Sequence, residues 1–229
     1  LGVDLAEVTG TGTEGRITED DVRKSAELKK ERLELVVSTA EKRDTYGCYE
    51  TIAMKGVRKS TAKRLTESAR TAVHVTHMDE ADVTELVAFK EKQSKIAEKR
   101  GIHLTYMPFV VKASVAALKQ YPYLNSSVNE EHEEIVLKKY YNIGVAVDTA
   151  DGLIVPNIKD ADKKDIFTIA EDIQSLTEKA QTRELSLPDL KGGTFTITNI
   201  GFIGGAHATP IINYPETAIL ATGPVSYTH

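Results

Sequence analysis

The stretch Thr194-Phe195-Thr196-Ile197-Thr198-Asn199 decides the fold class, because its apolar and polar residues alternate strictly. Alternation with a period of two predicts a β-strand, with Phe195 and Ile197 on one face and the three threonines on the other. Before it, residues 165–181 place apolar side chains at helical spacing and predict an amphipathic helix. After it, residues 217–221 predict a final apolar strand. Helices that alternate with strands indicate an α/β fold.

The same pattern extends through the chain from about residue 48. Spacing of apolar residues and capping signals predict three further helices, over 57–72, 82–100 and 105–121. Alternation and β-branched residues predict three further strands, over 73–79, 135–147 and 152–158.

Two shorter segments precede the α/β region. Residues 1–28 contain a glycine-rich loop that ends at Arg16, and a short helix that begins after Thr18. A unit of this size buries too small a core to fold alone, so we expect it to dock elsewhere or to belong to a larger unit. The charge-rich residues 29–47 predict a linker.

Composition argues against several classes of function. The 229 residues have a net charge of −5, which gives no overall basic surface for nucleic acid. No apolar run of about 18 residues predicts a membrane span. The one cysteine, Cys48, excludes an internal disulfide framework and multi-cysteine zinc sites. We interpret it as an inert thiol in a reducing compartment.

Three histidines are candidates for chemistry. His74 and His77 are three residues apart, but on a strand such residues face opposite sides and do not readily share one metal ion. We therefore predict no metal site. His207 lies in a glycine-rich stretch that would expose it, and it is a candidate general base. Thr198 and Asn199, at the end of the central strand, are placed to meet a ligand, although the threonines also serve as ordinary strand formers.

Motifs along nearly the whole chain occur together in one family. The N-terminal motif is Gly10-Thr-Gly-x-x-Gly-Arg16-Ile17. The others lie at residues 54–58, 79–86, 104–109, 121–125, 142–146, 152–156, 192–199 and 210–216. In this order they resemble the dihydrolipoamide acyltransferase component of the 2-oxo acid dehydrogenase complexes.

The resemblance implies a domain organisation and a reaction. Residues 48–229 would form a chloramphenicol-acetyltransferase-like mixed sheet flanked by helices, truncated before a family motif, after a partial helical subunit-binding domain (1–28) and a linker (29–47). The family transfers an acyl group between a dihydrolipoyl thiol and coenzyme A. The lipoyl group is expected on a domain not present in this chain.

The resemblance also implies partners. Homotrimers are expected to build a larger hollow core. Residues 1–28 are expected to bind the decarboxylase and dihydrolipoamide dehydrogenase components, with Arg16 matching a basic residue that contacts the partner. No nucleic-acid or membrane partner is expected. We expect a cytoplasmic location, or the mitochondrial matrix in a eukaryote.

The site residues follow from position in the motifs. The oxyanion-stabilising hydroxyl of the family falls on Thr198. Coenzyme A contacts fall on Lys90, Thr105, Asp148, Asn199 and Gly223. Lys90 replaces an arginine of relatives, so it keeps the charge but lacks the bidentate fork. The catalytic base of the family lies in a His-x-x-x-Asp-Gly motif that these 229 residues do not contain, so we expect this chain to be inactive alone.

Two alternatives and one preference remain open at this point. The chain is alternatively a non-catalytic core or partner-binding scaffold of the same fold, or an unrelated acyltransferase that uses His207 as base. For the acyl group, residues 198–201 with Gly204 and Gly205 are slightly more similar to the branched-chain type than to the pyruvate type. Such selectivity depends on a few methylenes, worth ~1–3 kcal/mol in a pocket.

Overall fold

A computed structural model describes residues 42–201, Gly204 and residues 207–225. These residues belong to two units, the first ending at Lys55 and the second beginning at Gly56. Arg16, the glycine loop around it and Gly205 lie outside the described residues.

The described part of the first unit is a short antiparallel ladder. Strand β1 (Lys42–Arg43) pairs with β2 (Cys48–Tyr49). The turn between them is stabilised by the Asp44 carboxylate, which accepts hydrogen bonds from the N–H groups of Tyr46 and Gly47 at 2.8 and 3.0 Å. Cys48 is free and exposed.

Four helices of the second unit lie where the sequence predicts them: α1 (Gly56–Thr71), α2 (Thr84–Glu98), α3 (Met107–Gln120) and α4 (Ile166–Thr182). Two short helices were not predicted, a 3-10 helix (Pro122–Asn125) and α5 (Leu187–Leu190). Helix α4 begins after Asp165, whose carboxylate accepts a hydrogen bond of 2.8 Å from the N–H of Thr168. This is the N-cap interaction that satisfies an otherwise unpaired donor of the first turn.

The central sheet has four strands, which are β5 (Ile143–Val145), β8 (Asn157–Ile158), β9 (Phe195–Asn199) and β10 (Ile219–Thr222). Their order across the sheet is β10-β9-β5-β8. Strand β9 runs parallel to both β5 and β10, whereas β8 is antiparallel to β5, so the sheet is mixed. Two separate hairpins join β3 (Ser126–Asn129) to β4 (Glu134–Leu137) and β6 (Val147–Thr149) to β7 (Gly152–Ile154).

Helices α3 and α4 pack on each other and enclose the apolar face of the sheet. Phe195 and Ile197 of β9 are buried in this core, as the alternation predicts. The cluster around them includes Val111, Val115, Leu118, Ile143, Ile158, Ile169 and Leu176. On the opposite face of β9, Thr194 and Thr196 are also buried, whereas Thr198 near the end of the strand is half-buried.

The prediction of one strand over 135–147 is wrong, because β4, β5 and β6 are separate elements. The side-chain amide of the buried Asn125 donates to the carbonyls of Lys138 and Tyr140 at 2.9 and 3.1 Å. The two carbonyls therefore accept their hydrogen bonds from a side chain and not from the backbone of a neighbouring strand. The predicted strand 152–158 is likewise divided, and Pro156, which has no N–H to pair, lies between its two parts.

The predicted strand over 73–79 is also wrong, since no strand forms there. Its alternating pattern is nevertheless reflected in burial: Val73 and Val75 are 94% and 90% exposed, whereas His74 between them is half-buried. A strand requires a partner for its backbone groups, and sequence alternation alone does not supply one.

Candidate functional site

The polar face of β9 places three threonine hydroxyls in one row, and their hydrogen bonding differs. Thr194 Oγ1 donates to the carbonyl of Asn142 at 3.2 Å, and Thr196 Oγ1 donates to Glu216 Oε2 at 2.6 Å. The half-buried Thr198 hydroxyl has no hydrogen-bond partner among the residues that the structure describes. It is the threonine of this row whose hydroxyl is available to a ligand.

Thr198 lies near the carboxyl ends of three parallel strands. In register, it pairs with Ala221 of β10, and Ile197 pairs with Val145 of β5. Because ligands of open α/β sheets bind at the carboxyl ends of strands, this edge is the natural position for a site.

Two of the predicted coenzyme A contacts lie at the same edge. Asn199 follows Thr198 directly, and its Oδ1 accepts a hydrogen bond of 2.9 Å from Gly201 N. Gly223 follows β10, and a Cβ placed on Gly201 would lie 3.2 Å from the Gly223 carbonyl. The fold therefore brings Thr198, Asn199 and Gly223 together.

Asp148 reaches this edge from β5. The chain leaving β5 is held to β9 by the Ala146 N–H, which donates to the carbonyl of Ile197 at 3.0 Å. Asp148 then lies in β6, opposite Leu153 of β7, and is exposed. A charged side chain just beyond the sheet edge is available to a polar ligand.

Lys90 and Thr105 form a second group, between α2 and α3. The Lys90 ammonium lies 5.4 Å from the centroid of the Tyr106 ring, within the range of a cation–π interaction. Thr105 Oγ1 accepts a hydrogen bond of 3.3 Å from Met107 N. Thr105 also lines a cavity of about 350 Å³ whose other wall is α4. No hydrogen bond joins this group to Thr198 in the described part of the chain.

A buried carboxylate that sequence analysis did not single out is Glu216, which is 6% exposed. Besides Thr196, it accepts a hydrogen bond of 3.1 Å from Asn213 Nδ2. Burial raises the pKa of the Glu216 carboxyl to about 7, while the hydrogen bonds and the charge of Lys138 act in the opposite direction. The signal in the sequence was a carboxylate and an amide, three residues apart, directly before an apolar strand.

His74 has a structural role in the fold. Its Nε2 accepts a hydrogen bond of 3.0 Å from Ile212 N, so Nδ1 carries the proton and donates to the carbonyl of Ala72 at 3.0 Å. Both ring nitrogens are thus engaged. In the described residues, no group of three or more His, Cys, Asp or Glu side chains is arranged to hold a metal ion.

His207 is exposed in the connection between β9 and β10. No hydrogen bond links it to Thr198 within residues 42–201, Gly204 and 207–225. This geometry therefore does not support the prediction that His207 acts as a general base.

Comparison with known proteins assigns the chain to a family. Residues 46–228 match the family described as 2-oxoacid dehydrogenases acyltransferase (catalytic domain), and residues 1–23 match the e3 binding domain. The chain belongs to the 2-oxoacid dehydrogenase acyltransferase family. The recognition made from the motifs is therefore confirmed, as is the α/β fold class.

Similar proteins are more specifically named. The chain is 42% identical to the dihydrolipoyllysine-residue acetyltransferase component of the pyruvate dehydrogenase complex from Bacillus subtilis, over 98% of this chain and 53% of that protein. The component from Staphylococcus epidermidis is also 42% identical, over 98% of this chain and 55% of its own length. The chain thus spans about half the length of these curated relatives.

Solved structures agree in fold. The dihydrolipoamide acetyltransferase of Azotobacter vinelandii superposes with a TM-score of 0.77 at 41% identity, covering 79% of this chain and 74% of that one. A truncated catalytic core of the 2-oxoacid dehydrogenase complex of Thermoplasma acidophilum gives a TM-score of 0.72 at 42% identity, covering 77% of this chain and 80% of that one.

Among the residues that the structure describes, no helix combines the length and the apolar character that a membrane span requires.

Proposed function

We propose that this chain forms the acyl-transfer site of a 2-oxo acid dehydrogenase complex, with Thr198 as the hydroxyl that stabilises the oxyanion. The observation that carries the proposal is the hydrogen bonding on β9. Of three threonines on one strand face, two donate to protein acceptors and Thr198 has no described partner. The Thr198 hydroxyl is therefore the one of the three that remains open to a ligand at the carboxyl end of the strand.

The reaction explains why such a donor is needed. Acyl transfer between a dihydrolipoyl thiol and coenzyme A begins with attack of a thiolate on a thioester, and negative charge develops on the carbonyl oxygen. A free thiol has a pKa of about 8.5, so a base must remove its proton. A positioned hydroxyl donor then stabilises the charge, and its removal costs on the order of 3 kcal/mol.

We propose that coenzyme A contacts two groups of residues. Asn199 and Gly223 are supported by their place at the same strand ends as Thr198, and Asp148 by its exposed position three residues after the end of β5. Lys90 and Thr105 are supported by their proximity around Tyr106 and by the cavity beside Thr105. A lysine ammonium suits phosphate as a point charge, without the two parallel hydrogen bonds that an arginine makes.

For the acyl group we propose acetyl. The relatives from B. subtilis and S. epidermidis are named acetyltransferase components of pyruvate dehydrogenase complexes. The slight preference for a branched chain rests on residues 198–201 with Gly204 and Gly205, and Gly205 lies outside the described residues.

We propose that the chain divides into a subunit-binding part (1–28), a linker (29–47) and the core (48–229), and that Arg16 contacts a decarboxylase or dihydrolipoamide dehydrogenase partner. The match of residues 1–23 to the e3 binding domain supports the first part. The lipoyl group is proposed to arrive on a separate domain. A cytoplasmic location remains our proposal.

Homotrimers that build a larger core are part of the same proposal. Two solved structures are similar to this chain over 79% of its length: the A. vinelandii relative and the cubic core of a pyruvate dehydrogenase multienzyme complex. The exposed Val73 and Val75 provide an apolar edge that a neighbouring copy would cover.

The second candidate function is a scaffold without catalysis, which is favoured by one observation. These 229 residues contain no His-x-x-x-Asp-Gly motif. We therefore expect the chain by itself to bind coenzyme A but to transfer little acetyl group to dihydrolipoamide.

Calorimetric titration of the purified chain with coenzyme A tests the binding part. We expect saturable binding that weakens in Lys90→Ala and is retained or strengthened in Lys90→Arg. An assay of acetyl transfer to dihydrolipoamide tests the chemistry. Absence of coenzyme A binding would contradict the site, and rapid transfer by the chain alone would contradict the requirement for the missing motif.

A further inference from the structure

We propose that Glu216 is a positioning residue for the acyl-transfer site, which occupies the Thr196 hydroxyl and fixes the strand that presents Thr198. This inference rests on the proposed function of Thr198. It concerns a buried carboxylate that the transfer chemistry does not itself use.

The contacts of Glu216 form a closed triangle. Its Oε2 accepts from Thr196 Oγ1 at 2.6 Å and its Oε1 accepts from Asn213 Nδ2 at 3.1 Å. Asn213 Nδ2 also lies 3.3 Å from Thr196 Oγ1. Three mutually bonded side chains restrict one another more strongly than a single pair does.

The triangle lies where β9 and β10 begin to pair. Glu216 lies three residues before Ile219, the first residue of β10, and the first pair of that ladder is Ile219 with Thr196. The hydrogen bond to Thr196 therefore ties the approach to β10 to the start of its ladder with β9. Thr198 follows two residues later on the same strand face, in register with Ala221.

Glycines allow the backbone to close over the carboxylate. A Cβ added at Gly193 would collide with Asn157 Oδ1 and would lie 3.0 Å from Glu216 Oε1. A Cβ at Gly144 of β5 would lie 3.1 Å from Thr196 Oγ1. The backbone at both glycines therefore lies so close to the triangle that an added Cβ would press on Glu216 or Thr196 and shift it by a few tenths of an ångström.

The charged group that acts on Glu216 from a neighbouring element is Lys138, after β4. The other described groups around the carboxylate are the neutral Thr196, Asn213 and Gly193, with Asn157 beyond. Burial raises the pKa of Glu216 to about 7. Loss or gain of its proton near neutral pH thus changes the acceptor that holds Thr196.

The chemical consequence is a division of roles among identical side chains. An ionised carboxylate is a strong acceptor, so the Thr196 hydroxyl is committed to Glu216 and does not compete for ligand. Thr198 remains as the donor at the strand end. With the triangle broken, Thr196 would be free to rotate and β9 would be less firmly fixed against β10.

Threonine-methyl NMR of the full 229-residue chain tests the link without requiring turnover. The signals of Thr196 and Thr198 are followed from pH 5.5 to 8.5 in the wild type, in Glu216→Gln and in the exposed control Glu184→Gln. We expect both signals to titrate with one midpoint near 7 in the wild type and in the control. We expect this titration to be lost in Glu216→Gln.

A Thr198 signal that does not change with pH in the wild type, or that titrates unchanged in Glu216→Gln, would overturn the proposal. Should Glu216→Gln not fold, Thr196→Val decides the matter, because it keeps the carboxyl and removes the linking hydroxyl. We expect the Thr198 titration to disappear in that variant, and its persistence would equally overturn the link.

A titration with coenzyme A at pH 7.5 separates this inference from the proposed function. A shift of the Thr198 signal on adding coenzyme A supports the site, whatever Glu216 does. A pH-dependent Thr198 signal with no response to coenzyme A would support the coupling to Glu216 within the fold but reject Glu216 as a positioning residue of an acyl-transfer site.

Discussion

His74 Nε2 accepts a hydrogen bond of 3.0 Å from the backbone N–H of Ile212, which is 138 residues further along the chain. The Ile212 carbonyl accepts from Ser68 Oγ at 2.5 Å. Both backbone groups of Ile212 are therefore held by side chains from α1 and the segment after it. This fixes the connection that leads, within four residues, to Glu216.

We expect His74→Ala to lower the free energy of unfolding by about 1–3 kcal/mol, because it leaves the Ile212 N–H without its acceptor. His77→Ala is the matched control, since His77 is exposed, and should change stability by less than about 0.5 kcal/mol. Urea unfolding followed by circular dichroism measures both. Equal effects of the two changes would contradict the structural role of His74.

Thr198→Ala should reduce acyl transfer by about 10²–10³-fold wherever the site is active, because it removes the oxyanion donor. Thr198→Ser keeps the hydroxyl and should retain most of the rate. Steady-state assays with acetyl-coenzyme A and dihydrolipoamide, made in whichever form of the protein shows transfer, measure the effect. A similar loss in both variants would indicate that the methyl group, and not the hydroxyl, matters.

Glu216 should make the stability of the protein depend on pH. Its pKa is raised from 4.5 to about 7, so between these values the folded chain keeps a proton that the unfolded chain has lost. The stabilisation is complete below about pH 4.5 and is lost as the pH rises through 7, with a span of up to ~3 kcal/mol. Urea midpoints in wild type and Glu216→Gln measure it.

The difference in unfolding free energy between the wild type and Glu216→Gln is the relevant quantity, because other groups titrate in both proteins. We expect the difference in unfolding free energy to change across pH 4.5–7 and to level off above it. A difference that is constant with pH would contradict the raised pKa.

Val75→Lys should weaken self-association, because it places a charge on an apolar side chain that is 90% exposed in the single chain. Lys63→Glu, on the exposed surface of α1, alters charge without altering this apolar edge. Light scattering behind a sizing column gives the mass of each protein. We expect the wild type and Lys63→Glu to be multimers of three chains and Val75→Lys to be smaller.

Local periodicity predicted much of the secondary structure. The spacing of apolar residues over 165–181 corresponds to α4, and the alternation of 194–198 corresponds to β9. Both patterns succeed because burial of one face is a repeating requirement that the residues themselves record. Over 73–79 the same alternation failed, because a strand also needs a partner for its backbone.

The candidate site was predictable only in part. Thr198, Asn199 and Gly223 come together because β9 and β10 pair in parallel, which places the carboxyl ends of the two strands side by side. Gly223, Asp148, Lys90 and Thr105 were placed by resemblance alone, and the structure divides them between two groups. Glu216 was not singled out, since an acidic residue before a strand is ordinarily exposed.

The sequence by itself determined the family, the α/β class and the threonine face of β9, because motifs and periodicity are properties of neighbouring residues. Only the tertiary structure decided which threonine hydroxyl has no hydrogen-bond partner among the described residues. Thr194 and Thr196 have acceptors that lie 52 and 20 residues away along the chain, at Asn142 and Glu216. Hydrogen bonds at such separations depend on the path of the whole chain, and three chemically identical side chains acquire different roles from it.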